Sequence, residues 1–510
     1  MDERKEATMK VAQFLGFDLS TSGLKAIARS ADGQEDFVEI GMQGQTTWQG
    51  QPGFILDFVP EMIKEALEAL VVRGWHFCRG GNVSFSVRQH DMVLLSGRNM
   101  SEPLIPALSW QCNVATYETN IINNQPDIVA SIGLVQPRFI LPKLLWVMRN
   151  FPEIGRKIGF VLTTGDYIAL MLTGHITMSS SDALSNGLLD QKTRRIATTA
   201  LDDARRAVLT NLKVFLPGLF LAVQSSGTFV GHTDSKLKVG GPQWAEVRNI
   251  LAGWCFYASL GDNHASGVGC GLVDNNTIAI SAGSSGTVFR KCAPRAKLRG
   301  EAARFEFYND TLLLTMLADC AVWYNKFVAT HIGKSATMAQ LDQAAMGASF
   351  GVVEFWNEER REGLVATRVF SPNLEEHPRL IASAQLSIAV ELLLLTKAML
   401  VEVKGNRTQV RRFVITGGMS RSPFFRTVLS VGLGLLKNDA NVFVSARNGK
   451  SANEAATLGA LINAITGSGL YYNSRAEAVA DLCPLKPAQK GLPKYRNMTD
   501  LRRRLEGLLS

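Results

Sequence analysis

Two short stretches about 260 residues apart constrain this chain more than anything else in it. The first, Phe14 to Ala28, reads FLGFDLSTSGLKAIA. An apolar strand ends in Asp18, turns at Ser20-Thr21-Ser22-Gly23 and leaves as a second apolar strand through Lys25. The second stretch runs apolar from Thr277 to Ser281, turns at Gly283-Ser284-Ser285-Gly286 and leaves through Thr287-Val288-Phe289. Each predicts a hairpin tipped with bare amides and hydroxyls, and consecutive backbone N–H groups can cradle a phosphate. One such tip alone reads first as an ordinary Gly/Ser hairpin. Two copies read as the halves of one phosphate clamp. Their spacing predicts a duplicated domain rather than a solenoid, whose repeats are far shorter.

A carboxylate stands just ahead of the second hairpin, in Gly261-Asp262-Asn263, and small residues follow it: Ala265, Ser266, Gly267, Gly269 and Gly271. Such a run fills no core but lets backbone or ligand approach closely. The 510 residues exceed what one core organises, so two large domains are expected. The boundary is predicted near Val273 to Asn276. It divides the chain into residues 1–273, residues 274–466 and a helical, basic tail, 467–510.

Residues 11 to about 270 alternate strand and helix patterns. Pro60 to Val72 is an amphipathic helix, and Asn82 to Val87 is a strand running into Arg88-Gln89-His90-Asp91. Pro137 to Asn150 and Glu153 to Gly174 read as mostly helical, with Gly174 as C-cap. Thr311 to His331 reads as a core helix. Later, Phe413-Val414-Ile415 is a strand entering Thr416-Gly417-Gly418-Met419-Ser420, with a helix from about Pro423. Paired glycines at a strand end let backbone lie against a ligand, and the helix N-terminus beyond favours anions. Gly449-Lys450-Ser451 is not the end of a P-loop, because Val444 stands where the pattern needs glycine.

Hydrophobic residues at 46% and charged residues at 19% describe a globular chain. Met1 to Lys10 is too polar for a secretory leader, and the most apolar run, Leu386 to Val401, carries Glu391 and Lys397 and reads as a buried helix. The seven cysteines are scattered without metal spacing, which predicts reduced thiols in a cytoplasmic protein. The net charge of +9 is spread out except in the tail, around Lys486, Lys490, Lys494, Arg496 and Arg502-Arg503-Arg504, which reads as a solvated helix. Neither a nucleic acid nor a membrane is expected as partner.

At the two hairpins the chain resembles the FGGY carbohydrate kinases, most nearly their xylulokinase branch. That family opens on a D-x-G-T-S-G hairpin, here Asp18 to Gly23, and joins its domains through G-D-N and L-G-T-S-G, here Gly261 to Asn263 and Ala282 to Gly286. Pro142 to Trp146, Asp166-Tyr167, Leu172 to Gly174 and Ser181 to Ala183 follow in the family's order, and the likeness covers about residues 12 to 465. The resemblance implies an α/β fold: actin-like (ribonuclease H-like), duplicated, with a central cleft. It implies ATP and Mg²⁺ as cofactors, a ketopentose such as D-xylulose as acceptor, and no further partner beyond a homodimer. Ribulose, another pentulose or a tetritol stays open as acceptor, and so does a non-kinase ATPase or silent sugar-binding protein.

The resemblance also assigns residues. Asp262 is the base for the attacking hydroxyl, and Asp18 positions the metal. Ser20, Thr21, Ser22, Lys25, Gly283, Ser284, Ser285, Thr287, Gly417, Gly418 and Ser420 hold ATP. Arg88, Gln89, His90, Trp110, Asp262 and Asn263 hold sugar. The chain departs from the pattern at Arg88, where the family has Gln, and at Val87 and Asp91, where it has glycines. It also lacks the Asp and Arg of L-W-x-D-x-R around Trp110. Arg88 is expected either to face the sugar or to turn outward and pair with Asp91.

Overall fold

The computed structural model describes residues 9–97, 100, 102–209, 216–220, 222–283, 285–293, 302–308, 310–317, 320–331, 338–347, 355–356, 365–366, 377–403, 410–447, 454–489 and 498–509. Ser284, the 449–451 stretch and tail residues Lys490, Lys494 and Arg496 lie outside them. The chain forms two compact units. One holds residues 1–269, 305–308 and 456–478, and the other holds 270–304, 309–455 and 479–510.

The first unit is built on a six-stranded sheet ordered Phe229–His232, Cys255–Gly261, Trp75–Val87, Lys10–Leu19, Gly23–Arg29 and Glu35–Gly41. The strands from Lys10 to Gly41 form an antiparallel meander, and the two strands beyond Lys10–Leu19 run parallel to it. Phe17, Phe85 and Phe256 stack across neighbouring strands, giving the sheet an aromatic spine. The helix Phe58–Val72 lays Met62, Ile63, Ala66 and Leu70 onto the core, at the spacing one helical face requires. A second core gathers around the helix Ile140–Asn150.

In the second unit six strands run Asp310–Leu317, Gly286–Cys292, Thr277–Ala282, Arg412–Thr416, Asn441–Ser445 and Leu485–Pro487, and a seventh, Ala303–Phe307, lies outside Asp310–Leu317. Again the first three strands are antiparallel and the next two parallel, with an antiparallel strand at the far edge. The two units therefore repeat one topology, which is the duplication that the twin hairpins predict. The helix His377–Glu402 is long and apolar enough to cross a membrane, yet its most apolar window is 61% buried within the protein. Leu392, Leu393, Met399 and Leu400 belong to this unit's core.

Four expectations change. Thr311 to Leu317 is a strand, because its apolar run pairs along Gly286–Cys292; only Cys320–His331 is helix. Residues 153–174 hold a strand, Ile158–Leu162, paired with Val93–Ser96, ahead of the helix Thr164–Thr173 that Gly174 caps at φ 74°. The contiguous division of the chain gives way to interleaved segments. The helix Ala455–Ser468 lies on the first sheet, and a Cβ on Gly16 would come within 2.6 Å of Leu461 Cα. Asn463 Nδ2 fastens the helix there, donating to Ser84 Oγ at 2.8 Å and Ala258 O at 3.0 Å. The terminal helix Met498–Leu509 buries Leu501, Leu505 and Leu509 and keeps Arg502 and Arg503 exposed, so one face is core rather than solvated tail.

Candidate active site

In the first unit, three strand ends arrive side by side. Asp18 pairs in register with Ser86, Leu19 with Val87, and Gly261 with Val87 from the other side. The chain leaves these strands as Ser20 to Gly23, as Arg88 to Asp91 and as Asp262-Asn263. Candidate groups separated by up to 244 residues in the chain (18 to 262) thus meet at the carboxyl ends of adjacent strands, where open α/β sheets hold their ligands.

The two departures from the family pattern are partners. Arg88 Nε donates to Asp91 Oδ2 at 2.7 Å, with side chains 5% and 0% exposed, so the pair is buried rather than turned outward. The guanidinium also lies over the Phe54 ring, 4.1 Å from its centre. Asp91 accepts a second bond from the Trp110 amide at 2.9 Å, which ties the His90 loop to the Trp110 loop. Burial pushes the Asp91 carboxyl up, and the charges of Arg88 and Lys143 oppose that push. Trp110 Nε1 in turn donates to Thr21 Oγ1 at 3.1 Å, so the indole meets the tip of the first hairpin.

Gln89 is buried across Gly261; a Cβ there would stand 2.6 Å from the Gln89 amide carbon and would push that side chain aside. Asn263 Nδ2 donates to Gln89 Oε1 at 2.7 Å. His90 takes a left-handed backbone, φ 70°, and shares a 2.9 Å hydrogen bond between Nδ1 and Asn186 Oδ1. Its ring stacks on Phe139, with centres 4.6 Å apart. Burial, then the charge of Arg138, pushes the imidazole well below its usual value, which keeps it neutral. Beneath it, buried Lys143 donates to the carbonyls of His90, Leu108 and Ser109, the last at 3.2 Å. Burial pushes that ammonium down to about 8.

Burial, then the charge of Asp18, pushes Asp262 up to about 7; the Asn263 amide, donating to Oδ1 at 2.7 Å, opposes this. Asp262 keeps part of its surface open to water, and the neighbouring carboxylates Asp18 and Asp91 add to the push from burial. A carboxylate held near neutrality suits proton acceptance. Asp18 is 4% exposed and accepts from Ser86 Oγ at 2.7 Å. The first hairpin tip is knitted by Ser20 Oγ, which lies 3.1 Å from Ser22 Oγ and donates to Gly23 O at 3.0 Å. Lys25 stands opposite Asp18 in the hairpin register.

The second unit offers a different surface. Gly283 N donates to Ser285 O at 3.1 Å, and Thr287 is buried opposite Ser281. Gly417 has φ 87°, and a Cβ on it would come within 2.5 Å of the Ala282 carbonyl carbon, so the tight turn after Arg412–Thr416 packs against the hairpin. A Cβ on Gly418 would meet nothing within 4 Å. Ser420 Oγ donates to Gly417 O at 2.7 Å, and the Met419 side chain turns into the core. The helix Pro423–Leu436 begins just beyond, capped by Ser422.

Among the described residues no three His, Cys, Asp or Glu gather as metal ligands. Asp18, a buried carboxylate at the end of the first strand, fits Mg²⁺, which is held through one or two carboxylates, waters and phosphates rather than a protein cage. The open backbone at Gly418 beside a capped helix N-terminus fits a nucleotide. Sequence reasoning gave no role to Lys143, Arg138, Phe139 or Asn186. One signal was present: Lys143 is the lone charge inside the apolar run Ile140 to Met148.

Three comparisons bear on this arrangement. Residues 13–228 match the N-terminal domain of the FGGY family of carbohydrate kinases. A xylulose kinase of Lactococcus lactis is 28% identical over 310 residues, 58% of this chain and 56% of that protein, so the match spans little more than half of that relative. Ligand-bound xylulose kinase from Lactobacillus acidophilus superposes with a TM-score of 0.75 at 16% identity, over 97% of this chain and 98% of that one. Glycerol kinase of Plasmodium falciparum with ADP superposes at 0.74 and 12% identity, over 98% and 99%. These likenesses show that the fold is the actin-like one of such kinases. Residues 13–228 thus match the N-terminal domain of the FGGY carbohydrate kinases, with the Asp18 to Gly23 hairpin inside the match and Gly261-Asp262-Asn263 beyond it.

Proposed function

We propose that the protein is an ATP-dependent sugar kinase that phosphorylates a ketopentose, with D-xylulose the first candidate. The observation that carries this is a set of unpartnered buried donors on the Arg88-Gln89 loop, which runs from the strand beside Asp262, and at Arg138, whose charge interacts with Asp262. Gln89 Nε2, Arg88 Nη2 and Arg138 Nε are buried without an acceptor among the described residues. A buried donor without a partner is costly, and a polyhydroxy ligand offers acceptors for it.

In this reading the first unit holds the acceptor. Gln89, His90 and Asn263 contact its hydroxyls, and Trp110 covers its apolar face. Asp262 takes the proton of the attacking hydroxyl, its Oδ1 kept in place by the Asn263 amide. Asp18 orients Mg²⁺ through water, and the ion neutralises charge on the transferred phosphoryl group. The amides and hydroxyls of Ser20, Thr21, Ser22 and Lys25 in the first unit, and of Gly283, Ser284, Ser285 and Thr287 in the second, hold phosphates. Gly417, Gly418 and Ser420 hold the adenosine end. Arg88 serves as partner of Asp91 and offers Nη2 alone to the sugar.

Another ketose or a polyol is the second reading. It is favoured by the buried Arg88–Asp91 pair, which stands where the family has Gln and Gly. A coupled assay of ATP consumption against ketoses, aldoses and polyols tests both. Turnover with D-xylulose above the other sugars is expected. Turnover with a tetritol or ribulose alone moves the assignment to that acceptor, and no stimulation by any sugar while ATP binds refutes the kinase.

A further inference from the structure

Arg138 has no role in the reading above beyond its orphaned donor, yet it stands within the proposed sugar site. It lies in the turn closed by Phe139 N on Gln136 O at 2.9 Å, directly before the helix Ile140–Asn150. Its neighbour Phe139 is the ring stacked on His90, and the next amide, Ile140 N, donates at 3.0 Å to the Asn186 oxygen that also binds His90. The turn is thereby fastened to the His90 loop at two points. Burial pushes the Arg138 guanidinium down, and the Asp262 carboxylate pushes back, so the two charges lie near enough to interact. Yet no ion pair joins them: Nε is buried and finds no acceptor among the described residues.

A guanidinium held near a carboxylate without bonding it leaves room for an oxygen that bonds both. A sugar hydroxyl meets that need, because it donates to Asp262 and accepts from Arg138 through separate lone pairs. A fixed fork of donors also discriminates between acceptors of different stereochemistry, which an ammonium on a flexible stem does less well. The chain has neither the Asp nor the Arg of the L-W-x-D-x-R pattern around Trp110, so a guanidinium from another element is available for recognition there.

We propose that Arg138 is a substrate-contacting, specificity-determining residue whose Nε donates to an oxygen of the acceptor sugar beside Asp262. This rests on the sugar-kinase reading. Its test uses the full chain and three proteins: wild type, Arg138→Lys and Arg138→Gln. Sugar KM, ATP KM and kcat are measured across the ketose, aldose and polyol panel, with sugar affinity by calorimetry alongside. Arg138→Gln is expected to raise the KM and Kd of the best sugar about 10–100-fold, in keeping with one lost charge-assisted hydrogen bond. ATP KM is expected to move less than about twofold and the ranking of sugars to change, while Arg138→Lys falls between the two.

An unchanged sugar KM and ranking in Arg138→Gln, with wild type active, overturns the proposal and leaves the kinase intact. A pH–rate profile separates contact from mere tuning of Asp262. If Arg138→Gln only moves the acid limb upward and leaves sugar Kd unchanged at high pH, the contact is refuted. If wild type neither turns over nor binds any sugar, the kinase reading and this proposal fall together.

Discussion

The two sheets repeat one topology, but their equivalent ends carry opposite chemistry. Leu19 pairs with Leu24 at the end of the first hairpin as Ala282 pairs with Gly286 at the end of the second. Counting back one residue, Asp18 faces Lys25 where Ser281 faces Thr287. The parallel strand beside each hairpin runs into Arg88-Gln89-His90 in one unit and into Gly417-Gly418 in the other. One copy of the fold thus presents titratable and charged side chains, several of them buried. The other presents glycines and main-chain amides. A shared framework supplies the position, and the residues at the strand ends decide whether it presents carboxylates and a guanidinium or bare backbone.

Removing the charge from the first unit should have the largest effect. Asp262→Asn keeps size and loses proton acceptance, so kcat is expected to fall about 10²–10⁴-fold with ATP affinity unchanged. The same carboxyl sets a pH limb. A base pushed up to about 7 must lose its proton to work, so kcat/KM for the sugar is expected to rise with pH through that region and level off above it. A limb near the ordinary carboxylate value would show that Asp18 and burial exert no such push.

Breaking the buried pair comes next. Arg88→Gln leaves Asp91 uncompensated and is expected to destabilise the protein by about 3–5 kcal/mol, measured by denaturant unfolding. The double variant Arg88→Gln/Asp91→Gly, which approaches the family pattern, should recover most of that loss. Equal loss in both would mean that the pair is not the reason for Arg88. In the second unit the comparison turns on backbone: Gly417→Ala forces a left-handed alanine against Ala282 and is expected to cost about 1–3 kcal/mol of stability. A smaller change follows from Asp18→Ser, which gives the first hairpin the residue of the second. It should raise the Mg²⁺ concentration for half-maximal rate about tenfold or more, as loss of an outer-sphere partner does, and excess metal should restore the rate.

The hairpins, the Asp18 and Asp262 positions and the Gly417-Gly418 turn were legible because each is local: a strand pattern plus a turn of few residues. What holds the site in shape was not. Asn263 meets Gln89 across 174 residues, His90 meets Asn186 across 96, and Lys143 reaches the His90 carbonyl across 53. No spacing rule links such pairs. Arg88 and Asp91 are three residues apart and their pairing was one of two readings, but its burial depended on Phe54 arriving from another strand. The helix Ala455–Ser468 was placed with the second domain by sequence order, whereas Gly16 and Asn463 bring it onto the first sheet.

The most direct test of this division of chemistry is a paired measurement of ATP Kd and sugar Kd by calorimetry, with kcat, for Asp262→Asn and for Gly418→Val. The account predicts that Asp262→Asn loses turnover and keeps ATP Kd, while Gly418→Val, whose side chain enters open space, weakens ATP and keeps sugar Kd. Normal turnover in Asp262→Asn, or a Gly418→Val protein that binds ATP as wild type does, would contradict it.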